Sequence, residues 1–202
     1  LLLHDALPHS GALIITDFGT LPFMKWLELL RQNPTFAYTE FETRPVYAVQ
    51  NEIIVQLFDR DIKKLREEIE KYPSDDALWV RLPGTINTGG NLCQHLIGNL
   101  RTYIGLTIGH VPYIRNRDAE FAERLFTQTQ LLAQLESLLL IVTKSIQDLS
   151  EEQLKSEFPR SVLDMFSNQS TQLVLTHLLT HLSYHLGQIN YHRRWVSSAY
   201  QH

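Results

Sequence analysis

From about Val46 onward, apolar positions recur with a helical period. Phe58, Ile62, Leu65, Ile69 and Tyr72 are spaced 4, 3, 4 and 3 residues apart, which puts them on one stripe of an amphipathic helix facing a core. Lys63, Lys64, Arg66, Glu67, Glu68 and Glu70 fall on the remaining surface and read as a solvated charge run. Pro73 ends this helix, because proline lacks the N–H that the next turn would use. A loop follows, with Pro83-Gly84 and Gly89-Gly90 as turn signals. The pattern predicts a second helix over residues 91–109, capped by Thr88 or Asn91 and closed by Gly109 ahead of Pro112. Residues 110–126 form a polar connection that includes Arg115, Arg117, Asp118 and Glu120.

The third helix carries Leu132, Leu135, Leu139, Val142, Ile146 and Leu149, spaced 3, 4, 3, 4 and 3, with Thr127 or Thr129 as its cap. Ser150-Glu151-Glu152-Gln153 has the form of a capping box and predicts a short extra turn. The last helix is predicted over residues 169–198. Leu173, Val174, Leu175, Leu178, Leu179, Leu182 and Leu186 surround it on nearly all sides. A helix apolar all round is buried, either centrally or at a subunit interface, and the second case suggests a homodimer. No strand-like alternation and no internal repeat occurs. Four long helices predict an all-α four-helix bundle with long connections over residues 46–202, its topology left open. Residues 1–45 differ: they hold Pro8, Pro22, Pro34 and Pro45 and one short helical candidate over residues 23–31. They are expected to form an N-terminal extension.

Composition narrows the function. The chain has 202 residues, 44% of them hydrophobic and 20% charged, enough for an ordinary globular core. A net charge of −4 argues against general binding to nucleic acid or an anionic membrane, and leaves a small molecule as the expected partner. One cysteine, Cys93, excludes an intrachain disulfide framework and a multi-cysteine zinc finger. Residues 1–15 are apolar but broken by Asp5, Pro8 and Gly11, short of the roughly 20 apolar residues of a membrane span. They also lack the basic flank of an export signal, so a cytoplasmic location is expected. Nine histidines are the unusual quantity.

Three of those histidines, His177, His181 and His185, recur at a spacing of four in the last helix. At about 100° per residue such positions differ by about 40°, so they share a face, and Gln188 and His192 fall in the same arc. Two imidazoles one turn apart can grip one metal ion. A catalytic metal ordinarily takes three protein ligands and keeps one position open. His95 is the best third candidate, being the only histidine inside the other long helices. His110 falls just past a helix end, and His4, His9 and His202 lie in weakly patterned termini. Histidines that serve as hydrogen-bonded core groups are the alternative, and would leave a non-catalytic helical interaction protein. Burying several imidazoles without partners is costly, however, and a metal satisfies them together.

Two familiar metal schemes are excluded. A zincin needs Glu directly after its first ligand histidine, where this chain has Leu182. A di-iron bundle needs Glu-x-x-His on paired helices, and the chain contains no such motif. A mononuclear site of neutral histidines remains, with a net charge suited to a thiolate or to polarising water.

The runs Asn91-Leu92-Cys93-Gln94-His95-Leu96-Ile97-Gly98-Asn99-Leu100 and His181-Leu182-Ser183-Tyr184-His185-Leu186-Gly187-Gln188-Ile189 resemble the DinB/YfiT-like superfamily. The resemblance covers about residues 46–200. It implies a four-helix bundle with a three-histidine metal site, in which His95, His181 and His185 are the ligands. His177 is then an extra histidine, in the core or behind the ligands, and His192 is another. The resemblance implies a divalent ion, Zn²⁺ or Ni²⁺, and an S-transferase that uses a low-molecular-weight thiol. Hydrolysis by metal-activated water is the alternative. No catalytic side chain is named by either reading.

Several neighbours could support such a site. Asn99 follows His95 by one turn, and Gln188 follows His185 by three residues. Either could orient a ligand or substrate, or simply join helices through hydrogen bonds. Tyr184 and Tyr191 could donate to a substrate, although tyrosines beside leucines usually pack. Arg115 and Arg117 could bind a substrate carboxylate. Arg193-Arg194 would complement the dipole at the end of the last helix. Cys93 precedes His95 by two residues and so points about 160° away from it, as a buried small apolar group.

Overall fold

The computed structural model describes residues 46–163 and 166–199. The expected extension over residues 1–45, with its helical candidate over residues 23–31, and His4, His9 and His202 lie outside the described residues. The helices are α1 (Val46–Glu70), α2 (Gly89–Leu100), α3 (Arg117–Ala122), α4 (Gln128–Gln147), α5 (Glu151–Lys155) and α6 (Thr171–Ala199). A 3₁₀ turn over Asp76–Trp79 stands in the first connection, and a π-helical segment over Arg101–Leu106 prolongs α2. Among the described residues the fold is all-α, with one isolated bridge between Glu157 and Ser170. None of the described helices is long and apolar enough to cross a membrane.

α1, α2, α4 and α6 form the bundle. α1 packs on α4 and α6, and α2 with its π segment packs on the same two helices from the other side. The order around the bundle is therefore α1, α4, α2, α6, and chain-consecutive α1 and α2 stand diagonally. The long connection between them crosses an end of the bundle, and its Ala77 and Leu78 are fully buried there. The α1 stripe forms one wall of the core: Phe58, Ile62, Leu65 and Ile69 are at most 1% exposed and Tyr72 is 4% exposed. On α4, Leu135, Val142 and Ile146 are buried as the spacing predicts. Leu131 and Leu138 complete that wall, while Leu132 and Leu139 sit at its edge.

Three of the helix starts are fixed by reciprocal caps. Thr88 accepts the Asn91 N–H through Oγ1, and Asn91 Oδ1 accepts the Thr88 N–H. Thr88 is thus the cap and Asn91 its reciprocal partner. Thr127 with Gln130 and Ser150 with Gln153 repeat the arrangement at α4 and α5. Each pair satisfies two backbone N–H groups that the helix itself leaves open.

The structure corrects five expectations. Glu68 is not part of the solvated run: it is 9% exposed and accepts from Arg193 Nε at 2.8 Å. Its position on α1 faces α6, so Arg193 pairs across helices rather than serving the helix dipole. The second helix does not run as one α-helix to residue 109. Its later turns bond five residues back, as in Thr107 N–H to Thr102 O and Gly109 N–H to Ile104 O, which widens the helix into a π turn. The residue in the left-handed region at its end is His110, with φ of 53°, rather than Gly109. A Cβ on Gly109 would lie 2.0 Å from Ser145 Oγ, so this glycine serves close packing on α4. Finally, α6 is not buried all round. It has packed neighbours in α1 and α2, and its outer side bears Tyr184, Tyr191 and Trp195, which are 64%, 74% and 50% exposed.

Candidate metal centre

α2 and α6 bring His95, His181 and His185 together. One ring nitrogen from each lies within 4.8 Å of the others. His95 Nε2 is 3.5 Å from His181 Nε2, and His185 Nε2 is 3.0 Å from the same atom. Two imidazole nitrogens bound to one tetrahedral zinc stand about 3.3 Å apart, so these separations already match a shared ion. The rings meet edge to face, His181 against His185 with planes at 90° and His95 against His181 at 78°. That arrangement turns the nitrogens toward a common point instead of stacking the faces.

Hydrogen bonds behind the rings decide where the protons sit. His95 Nδ1 is 3.0 Å from Glu120 Oε2. A carboxylate only accepts, so Nδ1 carries the hydrogen and Nε2 presents its lone pair inward. Arg115 grips the same carboxylate bidentately, Nε to Oε1 and Nη2 to Oε2, both at 2.7 Å. Its Nη2 also comes within 3.2 Å of His95 Nδ1 because both donors converge on Oε2. On α6, His185 Nδ1 donates to Gln188 Oε1 at 2.6 Å, which likewise leaves the His185 Nε2 lone pair facing inward.

His181 stands between these two lone pairs, and its Nδ1 is buried without a hydrogen-bond partner. If Nε2 holds the hydrogen, it can serve one neighbour well, and Nδ1 is left as a buried, unmatched acceptor. If Nδ1 holds it, three lone pairs face one another and a donor is unmatched. Neither tautomer satisfies the cluster, whereas one cation would satisfy all three inward nitrogens. Burial, reinforced by His185, His95, His177 and Arg115, pushes the His181 pKa down to about 3. Burial also lowers that of His185, against the opposing bond to Gln188. Both rings are therefore neutral at pH 7, the state a metal ligand requires. Burial by itself would raise the Glu120 pKa, but Arg115 and His95 hold it below the usual carboxylate value.

The other candidates from the sequence fall around this centre. His177 stacks on His181, with ring centroids 6.0 Å apart. Tyr184 lies edge-on to His185 at 5.2 Å and is mostly exposed. Gln188 orients His185, as described. Asn99 is half-buried one turn after His95, and its Oδ1 has no hydrogen-bond partner. Arg115 belongs to the centre through Glu120. Arg117 instead lies over the Phe121 ring at 5.7 Å, and that ring packs on His95. Tyr191 is on the outer side of α6 beneath the Arg194 guanidinium. His192 is held elsewhere, by Tyr72 Oη at 2.8 Å and by the Val80 carbonyl at 2.8 Å. Cys93 is fully buried, and burial drives its thiol pKa up, so the chain's own thiol is inert.

Glu120 is the functional side chain that sequence reasoning missed. It comes from α3, six residues long, inside the connection read only as polar. A signal was present in Gly98, one turn after His95. A Cβ there would lie 1.9 Å from Glu120 Oε1 and 3.3 Å from Arg115 Nε. Glycine inside a helical pattern permits such an approach without proving it: Gly187 of α6 has nothing within 4 Å of its Cβ position.

Residues 50–201 match a family described as "Protein of unknown function (DUF1572)". The chain belongs to that family. No curated protein matches it. Among solved structures it is similar to one titled "Crystal structure of the conserved protein of locus from Enterococcus faecalis", with a TM-score of 0.60 at 15% identity. That likeness covers 73% of this chain and 96% of the other. At that identity the comparison shows a shared fold and nothing about activity.

Proposed function

We propose that His95, His181 and His185 hold one divalent ion, Zn²⁺ or Ni²⁺, and that this DUF1572 member is a DinB/YfiT-like S-transferase using a low-molecular-weight thiol. The observation that carries the reading is the three converging Nε2 atoms, of which at most one can carry a hydrogen while His95 and His185 donate through Nδ1. When bound, the ion would supply a charge of +2 that lowers a thiol's pKa and favours its thiolate.

This chain's own residues support the thiol branch over hydrolysis. Three neutral imidazoles contribute no charge, and the Glu120 carboxylate is balanced by Arg115, so the positive field is left for an anionic sulfur. Glu120 is tied at both oxygens, by Arg115 and His95, and so is not available as a base for water. Cys93 is sealed in the core, so the reacting sulfur comes from a small molecule. The chemistry is then a displacement: the thiol proton leaves to solvent, sulfur forms a bond to an electrophilic carbon, and the leaving group departs with its electron pair.

The test is turnover of halide, epoxide and ester electrophiles by zinc-loaded, untagged protein. Glutathione, bacillithiol and mycothiol are supplied one at a time, with a no-thiol control. Turnover that requires one of the thiols and ceases in His185→Ala is expected. Undiminished turnover without any thiol would replace this reading with hydrolysis.

A further inference from the structure

We infer that Glu120, clamped by Arg115, is a positioning residue for His95 that sets its tautomer and aim, and through them the strength of the metal site. The inference rests on the metal reading above but makes a separate claim about α3. Three observations support it. First, Glu120 is 2% exposed, and a buried carboxylate needs several donors. It has three, all inside this cluster: Arg115 Nε, Arg115 Nη2 and His95 Nδ1. Second, α3 is fastened to α2 next to His95. Gln94 Nε2 donates to the carbonyls of Glu120 and Glu123 at 2.5 and 2.7 Å, and Asn91 Nδ2 donates to the Glu120 carbonyl at 3.1 Å. The Asn116 side chain caps α3 itself. Third, α2 makes room for the carboxylate at Gly98, where a methyl group would collide with Glu120 Oε1.

These contacts hold the carboxylate against Nδ1 from a rigid base. A histidine whose outer nitrogen is fixed in this way presents the other as a lone pair in one direction, and loss of such a partner typically weakens metal binding by about 10–100-fold. His185 has only Gln188 in the same role, on an exposed stretch of its own helix. The outer nitrogen of His181, Nδ1, has no partner. Within the cluster, the orientation built into the fold before any ion arrives is therefore concentrated at His95.

The experiment compares full-length wild type with Glu120→Ala, Glu120→Gln and Gly98→Ala. Zinc affinity is read by competition with a chromophoric chelator, and the His95 tautomer by ¹⁵N NMR of the metal-free proteins. Glu120→Ala is expected to bind zinc about 10–100-fold more weakly and to lose the preference of His95 for hydrogen on Nδ1. Glu120→Gln keeps an acceptor and should retain that tautomer and most of the affinity. Gly98→Ala keeps the carboxylate but displaces it, and should move toward the alanine variant. If Glu120→Ala does not fold, the other two variants carry the comparison. Affinities within twofold of wild type, or His95 protonated on Nε2 in the wild type, would overturn the positioning role. Wild type that takes up no zinc would overturn the metal reading instead, with the tautomers still deciding whether Glu120 positions His95.

Discussion

His181→Leu is expected to remove metal binding and, in the metal-free protein, to raise stability. The two halves have one cause. His181 is the ring that both other histidines face, so losing it removes the centre of the cluster. If the 10–16 kcal/mol of a four-ligand zinc site is shared evenly, one ligand is worth about 100- to 1000-fold in affinity. In the metal-free protein the same imidazole is a burden. Its Nδ1 is buried and unmatched, and an unmatched buried polar atom costs about 1–3 kcal/mol. Leucine fills a similar space without a polar atom. A gain of about 1 kcal/mol is therefore expected after imperfect packing, or about 2–4 °C in melting temperature for a chain of this size. A variant more stable without metal and unable to bind it is the signature of a residue kept for chemistry. Thermal melts in chelator, paired with a zinc titration, check both halves. Loss of several degrees in chelator would mean that His181 is a structural core group.

The second large effect is acid sensitivity beginning well above the carboxylate range. Burial lowers the pKa of His181 to about 3, and lowers those of His185 and His192 as well. Their unfolded values lie near 6.5. Between 6.5 and the folded values the unfolded chain binds more protons, so stability is fully present above pH 6.5 and is lost as pH falls through that window. A fully shielded histidine would lose about 1 kcal/mol between pH 6.5 and 5.5. Solvent reaches parts of these rings, so about 1–2 kcal/mol for the three together is the expected loss. Burial by itself would raise the pKa values of Asp61, Glu68 and Glu120. Arg60 with Ser183, Arg193, and Arg115 with His95 hold them below their usual values. Their contribution is lost only below about pH 4.5. Urea melts of metal-free protein at pH 7.5, 6.5 and 5.5 should show the midpoint falling across the last interval, less steeply in His181→Leu. A flat profile down to pH 5 would contradict the burial of neutral histidines.

Much of this was legible in the chain. The 3–4 spacing from Phe58 to Tyr72 reports burial directly, because that stripe faces one core, and on α4 it does so for Leu135, Val142 and Ile146 but not for Leu132 and Leu139 at the edge. The cluster was legible too, since a spacing of four puts His181 and His185 on one face and His95 was the histidine left inside another long helix. What could not be read depends on contacts between distant segments. Glu68 looks like its charged neighbours until Arg193 is placed across from it. Glu120 sits in a helix too short to show periodicity. The open side of α6 is hidden in the sequence because Leu173, Leu179 and Leu186, which spread the apolar positions around the helix, are only half-buried, while Tyr184, Tyr191 and Trp195 face outward. The diagonal placement of α1 and α2 follows from the crossing connection, whose course no local pattern specifies.

We propose above that one ion binds between α2 and α6 on three imidazole nitrogens. Anomalous diffraction at the zinc absorption edge, from crystals of untagged protein loaded with one equivalent of zinc, tests it most directly. A single strong peak per chain is expected, at about 2.0–2.1 Å from Nε2 of His95, His181 and His185. A loaded crystal without that peak, or with zinc on other side chains, would contradict it.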